Sequence, residues 1–264
     1  MNISEPLGKH ALGQHWLNDD DSLQAMLETA QITEKDTVLE IGPGLGSLTQ
    51  LLVNRAAQVI AVELDDRLVQ QLPKRVPAAN LKIIQGDILH LNLNCLPAGY
   101  KVVANIPYYL TSNLLRKLCE SQNHFSHAAL LVQKEVAQRV TASTGAGSLL
   151  SVSVQFYAIP QLGRLVPARL FTPPPKVDSQ ILRLDYREKP LFPNVDTERF
   201  FAIVHAGFSQ RRKTLANALS ASLHLSKSQV AATLVQCGIM PMDRAQTLSL
   251  EDWYRLYKTI VVNT

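Results

Sequence analysis

Short apolar runs alternate with helical patterns through the first two thirds of this chain, and that alternation constrains its fold more than any other feature. Thr37–Ile41 reads as a strand and Leu48–Arg55 as the helix after it. Val59–Val62 is a second strand, followed by a helix near Asp66–Leu72. Leu81–Ile84 is a third strand. Lys101–Ala104 is a fourth, with a helix over about Thr111–Glu120, and Ala128–Val132 is a fifth. Such a sequence predicts a parallel sheet covered by helices on both faces, the α/β class. Ligands on these sheets bind beyond the carboxyl ends of the strands, where the strand order reverses. Polar residues recur at those ends: Glu40 and a glycine-rich turn, Glu63, Asp87, and Asn105-Ile106-Pro107-Tyr108.

Beyond the fifth strand the pattern changes. Phe171-Thr172-Pro173-Pro174-Pro175-Lys176 cannot be helical, because proline fixes φ and lacks a donor. Ile181–Leu184 alternates like a strand that closes the sheet. Glu188–Asn194 is polar with two prolines and reads as a linker. Phe200, Val204, Phe208, Leu215 and Leu219 then recur at helical spacing. The division expected is residues 1–187 as a catalytic domain and 188–264 as a small helical domain.

With 264 residues and 46% hydrophobic content, the chain can bury one sizeable core and a small second one. Cys95, Cys119 and Cys237 are odd in number and form no CxxC pair, which argues against a disulfide framework or zinc cluster. They suggest a reducing, cytoplasmic setting, and no metal is expected. No signal peptide or membrane-spanning run is visible, so no membrane partner is expected. The net charge of +4 agrees with an anionic partner without specifying one.

Gly42, Gly44 and Gly46 lie between a strand and a helix, where glycine lets backbone amides approach a ligand. The dinucleotide fingerprint would need glycine where Ser47 stands, which argues against a dehydrogenase. No GxxxxGK[ST] occurs, which disfavours an NTPase. Glu63 lies 17 residues after Gly46 and suits a pair of ribose hydroxyls. Asp87 can accept from an adenine amine. At the fourth strand end, Asn105 and the Ile106 carbonyl form a pair of acceptors for an exocyclic amine. Pro107 stiffens the turn, and Tyr108 can stack on a flat base.

Taken with GxGxG behind Glu40, these residues resemble the first motif of S-adenosylmethionine-dependent methyltransferases. The chain as a whole resembles the KsgA family of small-subunit rRNA adenine dimethyltransferases over nearly its full length. The landmarks are Gly13–Leu17, Glu40–Gly46, Asn105–Tyr108, Gln133–Val136, Phe171–Ser179 and Phe208–Thr214. The resemblance implies a Rossmann-like methyltransferase fold with a C-terminal helical domain. It implies an S-adenosylmethionine site lined by His15, Leu17, Gly42, Gly44, Gly46, Glu63, Asp87 and Asn105. Asn105–Tyr108 would be the reaction site, with Phe171 as an aromatic wall opposite Tyr108. The implied substrate is two neighbouring adenines in a hairpin loop near the 3′ end of small-subunit rRNA, in an assembling 30S particle, with a monomeric enzyme. The family usually has Asn-Phe at His15-Trp16, and often Tyr-Gly near Gly147-Ser148. Arg211, Arg212 and Lys213 interrupt the apolar series, so a helix would turn these cations outward, towards rRNA phosphates. The alternatives are a related large-subunit rRNA adenine methyltransferase and an assembly factor whose catalysis is secondary.

Overall fold

The computed structural model describes residues 15–142, 147–210 and 212–262. The expected strands appear as β2 (Thr37–Ile41), β3 (Gln58–Glu63), β4 (Leu81–Gln85), β5 (Lys101–Asn105) and β6 (His127–Gln133), preceded by a two-residue β1 (Trp16–Leu17). Helices α1 (Asp20–Thr29), α2 (Ser47–Val53), α3 (Asp66–Arg75), α4 (Thr111–Glu120), α5 (Lys134–Thr141) and α6 (Leu149–Tyr157) intervene. Then follow β7 (Ala158–Val166), β8 (Phe171–Thr172) and β9 (Ser179–Tyr186).

Seven strands form one sheet in the order β4-β3-β2-β5-β6-β9-β7, and β1 pairs with β8 in a separate ribbon. Strands β2 to β6 are mutually parallel, while β9 runs antiparallel to β6 from His127↔Asp185 to Gln133↔Ser179. The sheet is therefore mixed rather than wholly parallel. Its inner strands are near-continuous apolar runs because both faces are covered. Val38, Val59, Ala61, Val103 and Ala129 pack with Leu23 and Met26 of α1, Leu52 of α2 and Leu72 of α3. The alternating residues Leu39, Ile60, Val102 and Leu130 are also buried. From β2 the chain moves one way to β3 and β4, then returns to β5 on the other side. The carboxyl ends of β2 and β5 thus flank the switch point.

The described chain divides into two compact units, Met1–Ala137 with Gln161–Asp185, and Gln138–Pro160 with Tyr186–Thr264. The second holds α6 together with α7 (Thr197–Phe208), α8 (Leu215–Leu223), α9 (Lys227–Gln236) and α10 (Leu250–Val262). Its core joins Phe156, Phe200, Leu215, Leu219 and Trp253, with Phe192 and Tyr254 stacked at 4.1 Å. Asp196 caps α7 by accepting from the Arg199 N–H, and Ser226 with Gln229 closes a capping box on α9. Gly147 donates its N–H to the Gln246 carbonyl at 3.0 Å.

One expectation is corrected here. The apolar series Phe200–Leu219 is not one helix with outward cations. It is two helices, α7 and α8, and Arg212 and Lys213 lie in the turn between them. The Lys213 N–H bonds the Gln210 carbonyl at 3.0 Å, and both cationic residues are exposed. Arg211 lies outside the described residues. The spacing misled because both arms of a helical hairpin bury the same kind of stripe.

Candidate active site

The turn after β2 is built by close approach. The Gly42 N–H bonds the Val62 carbonyl at 2.9 Å, which ties the turn to β3. A Cβ on Gly42 would meet nothing within 4 Å, so its backbone faces open space. Gly44 has φ +57, and a Cβ there would lie 2.1 Å from the Trp16 ring. Gly46 caps α2 at φ +90, and a Cβ there would lie 2.9 Å from Leu72. Side chains are thus excluded at both positions, by backbone conformation and by neighbours.

Three carboxylates stand at successive strand ends in different surroundings. Glu63 is 6% exposed, and its Oε1 accepts from the Leu64 and Asp65 N–H groups at 2.9 and 3.0 Å. Among the described residues its Oε2 accepts only the Gly44 N–H, at 3.2 Å, and so keeps capacity for a hydroxyl. Glu40 is 1% exposed, and neither oxygen has a hydrogen-bond partner among the described residues. Burial pushes its carboxyl up to about 8, and the charge of Glu63 adds to this. It is therefore largely a neutral acid at pH 7. Asp87 Oδ1 accepts the Leu89 N–H at 2.8 Å, which orients it after β4.

Across β2, Asn105 ends β5. Its Nδ2 donates to the His15 carbonyl at 3.1 Å, which fixes the amide and reserves Oδ1 as the acceptor. The Pro107 carbonyl already takes the Leu110 N–H at 2.9 Å. That leaves the Ile106 carbonyl as the second acceptor in the turn. The Tyr108 hydroxyl shares a hydrogen bond of 2.9 Å with Ser179, and burial holds its phenol above the ordinary range. One side of its ring stacks on His15, with centroids 5.8 Å apart. His15 in turn donates Nδ1–H to the Pro173 carbonyl at 2.7 Å.

A cavity of about 270 Å³ gathers His15, Leu17, Glu40, Gly42, Gly44, Glu63, Asp87 and Asn105–Tyr108 on its walls. Gly46 and Phe171 are not wall residues. Gly46 closes the turn by donating its N–H to the Pro43 carbonyl at 3.0 Å. Phe171 is 3% exposed and packs in the core with its strand partner Leu17. Arg212 and Lys213 belong to the second unit. The sequence reading left out Trp16, Leu64, Tyr109 and Ser179. The first three line the cavity and each adjoins a residue singled out from sequence, but nothing in composition marks which way they face.

A family model described as ribosomal RNA adenine dimethylase matches residues 7–261. A protein named ribosomal RNA small subunit methyltransferase A, from Dehalococcoides mccartyi, is 44% identical over 256 residues, covering 94% of this chain and 87% of that one. A protein of the same name from Shouchella clausii is 39% identical over 260 residues, covering 94% and 88%. Among solved structures, a dimethyladenosine transferase from Plasmodium falciparum superposes with a TM-score of 0.77 at 28% identity, over 92% of this chain and 96% of that one. The 23S rRNA methyltransferase ErmE superposes with a TM-score of 0.74 at 29% identity, over 93% and 99%.

Proposed function

Because the chain belongs to the ribosomal RNA adenine dimethylase family, we propose that it dimethylates N6 of two adjacent adenines in the 3′-terminal hairpin loop of small-subunit rRNA, within an assembling 30S particle. It is an rRNA adenine methyltransferase that uses S-adenosylmethionine. The observation that carries the finer reading is the placement of Asn105–Tyr108 on the same cavity as the glycine turn, with the Asn105 amide already oriented by His15.

The residues present fit the methyl donor. Gly42 offers open backbone, Glu63 Oε2 would take a ribose hydroxyl, and Asp87 would accept from the adenine amine of the donor. His15, Leu17 and Gly44 close the walls around it, and Gly46 holds the turn. The donor supplies a methyl group on an already activated sulfonium. What the protein must supply is a nucleophile. The adenine N6 lone pair is delocalised into the ring, and Asn105 Oδ1 with the Ile106 carbonyl draws its hydrogens towards tetrahedral geometry. Pro107 offers no competing donor. Tyr108 stacks on the base with the ring face away from His15. Phe171, the second aromatic assigned to the base, packs beside Leu17 and backs the site from the core. Positioning supplies most of the rate, so no strong base is needed.

The second unit, with Arg211, Arg212 and Lys213, is assigned to rRNA phosphates. The protein is read as a monomer working in the cytoplasm without a membrane partner. Among the described residues, no helix is long and apolar enough to cross a membrane. The test is to incubate the protein with labelled S-adenosylmethionine and undermethylated small subunits, and then to map the modified nucleotides. Two adjacent dimethylated adenines in the 3′-terminal hairpin are expected. No label in small-subunit rRNA, or label only outside that hairpin, would overturn the assignment.

A further inference from the structure

We propose that Tyr109 is a stacking platform for the base next to the target adenine, which makes the cavity rim a second nucleotide subsite; this rests on the adenine-transfer reading above. Two large apolar side chains on the cavity are well exposed, Leu64 at 53% and Tyr109 at 61%. They sit at different ends. Leu64 follows Glu63 on β3, the ribose end, whereas Tyr109 follows the acceptor turn after β5, on the other side of β2. Tyr109 therefore edges the part of the cavity where the amine must sit.

Tyr108 has little ring left for a second base. His15 covers one of its faces, its hydroxyl is held by Ser179, and the target adenine needs the other face. Tyr109 differs on each count. Among the described residues it has neither a ring contact nor a hydrogen bond. Its backbone is nevertheless fixed. It lies in the helical turn Tyr108–Leu110, closed by the Leu110 N–H on the Pro107 carbonyl. That turn leads into α4, whose Leu114 and Leu115 are fully buried. The result is an open aromatic ring on a fixed backbone, with only two side-chain torsions to settle when a base lies on it.

The chemistry of the substrate supplies the occupant. Drawing one adenine out of a strand leaves its neighbour without a stacking partner. An exposed aromatic ring at the rim replaces that partner, and it does so for any base because every base has a π-face. With two adjacent adenines as targets, one adenine occupies the acceptor pair while the other waits on Tyr109.

The experiment uses the full chain with Tyr109→Ala and Tyr109→Phe. Initial rates on undermethylated small subunits give KM and kcat. A hairpin RNA carrying 2-aminopurine beside the target adenine gives binding and stacking by fluorescence quenching. Tyr109→Ala should raise the RNA KM and Kd by roughly 10-fold, the scale of one lost base stack, and should lose the quenching. Tyr109→Phe should restore all three, since the ring and not the hydroxyl is used. Affinity for S-adenosylmethionine should be equal in all forms. If Tyr109→Ala keeps KM and quenching within two-fold of the parent, the subsite is wrong while the enzyme assignment stands. If the parent itself transfers no methyl group to rRNA, the assignment fails first.

Discussion

Glu40 and Glu63 end adjacent parallel strands, yet one carboxyl has no hydrogen-bond partner among the described residues and the other accepts three backbone N–H groups. The difference has a pH signature. Glu40 keeps its proton in the native state up to about pH 8, whereas in the unfolded chain it titrates near 4.5. Between those values the native state binds the extra proton, so this stabilising contribution is whole at low pH and is lost as pH rises through the native value. Melting temperatures without ligand should therefore fall more from pH 5 to pH 8 for the parent than for Glu40→Gln. Parallel curves would remove Glu40 from the balance. The roles proposed for Glu63 and Asn105 separate binding from chemistry. Glu63→Ala should weaken S-adenosylmethionine binding by about 1.5–3 kcal/mol, the range for a hydrogen bond to a charged group. Asn105→Ala should disturb binding less but lower the transfer rate by roughly 10²–10³, as for loss of one oriented transition-state partner. Calorimetry and single-turnover kinetics on both variants decide this. Equal patterns in the two would merge their roles.

At the scale of elements, the second unit depends on a close approach between α7 and α10. A Cβ on Gly207 would lie 2.4 Å from Trp253, which is fully buried. Gly207→Ala should gain helix propensity yet lose about 1–3 kcal/mol to overpacking, seen as earlier thermal unfolding with unchanged affinity for S-adenosylmethionine. A variant as stable as the parent would mean that Trp253 can shift freely. The same elements show what the sequence can and cannot reveal. Strands β2, β3, β5 and β6 were readable because burial on both faces leaves nearly continuous apolar runs, the edge strand β4 by its short run Leu81–Ile84, and α4 was readable to its last residue. Strand β7 was not, since Pro160 and Gly163 break the pattern and an edge position tolerates both. The β1–β8 ribbon has two residues per strand, too few for any period. The cavity-wall residues at strand ends were readable because a parallel sheet delivers them all to one rim. The burial of Phe171 and the exposure of Tyr109 were not, because both depend on pairings distant in sequence.

For the whole molecule, the question is where an anionic substrate of this size is held. The cavity belongs to the first unit, while Arg212 and Lys213 lie exposed in the α7–α8 turn of the second. Neither cation has an ion-pair partner among the described residues, whereas Arg199 and Arg255 of the same unit lie against Asp196 and Asp252. Side chains already paired offer less to a phosphate than side chains that are not. Each phosphate contact on a single-stranded loop contributes about 0.7 to the magnitude of the log–log salt slope of binding, through counterion release. Replacing Arg212 and Lys213 by alanine should therefore flatten that slope by up to roughly 1.4, and by less if one of them misses the backbone. Affinity for S-adenosylmethionine should stay constant, because neither Arg212 nor Lys213 lines the cavity. Filter binding to undermethylated small subunits across a salt series measures the slope for both forms. A flattened slope with unchanged donor affinity would make the turn an rRNA anchor that works independently of the chemistry. Equal slopes would leave the two cations as a solvated turn and move the search for phosphate contacts to the first unit, beginning with the exposed Arg169 and Lys176.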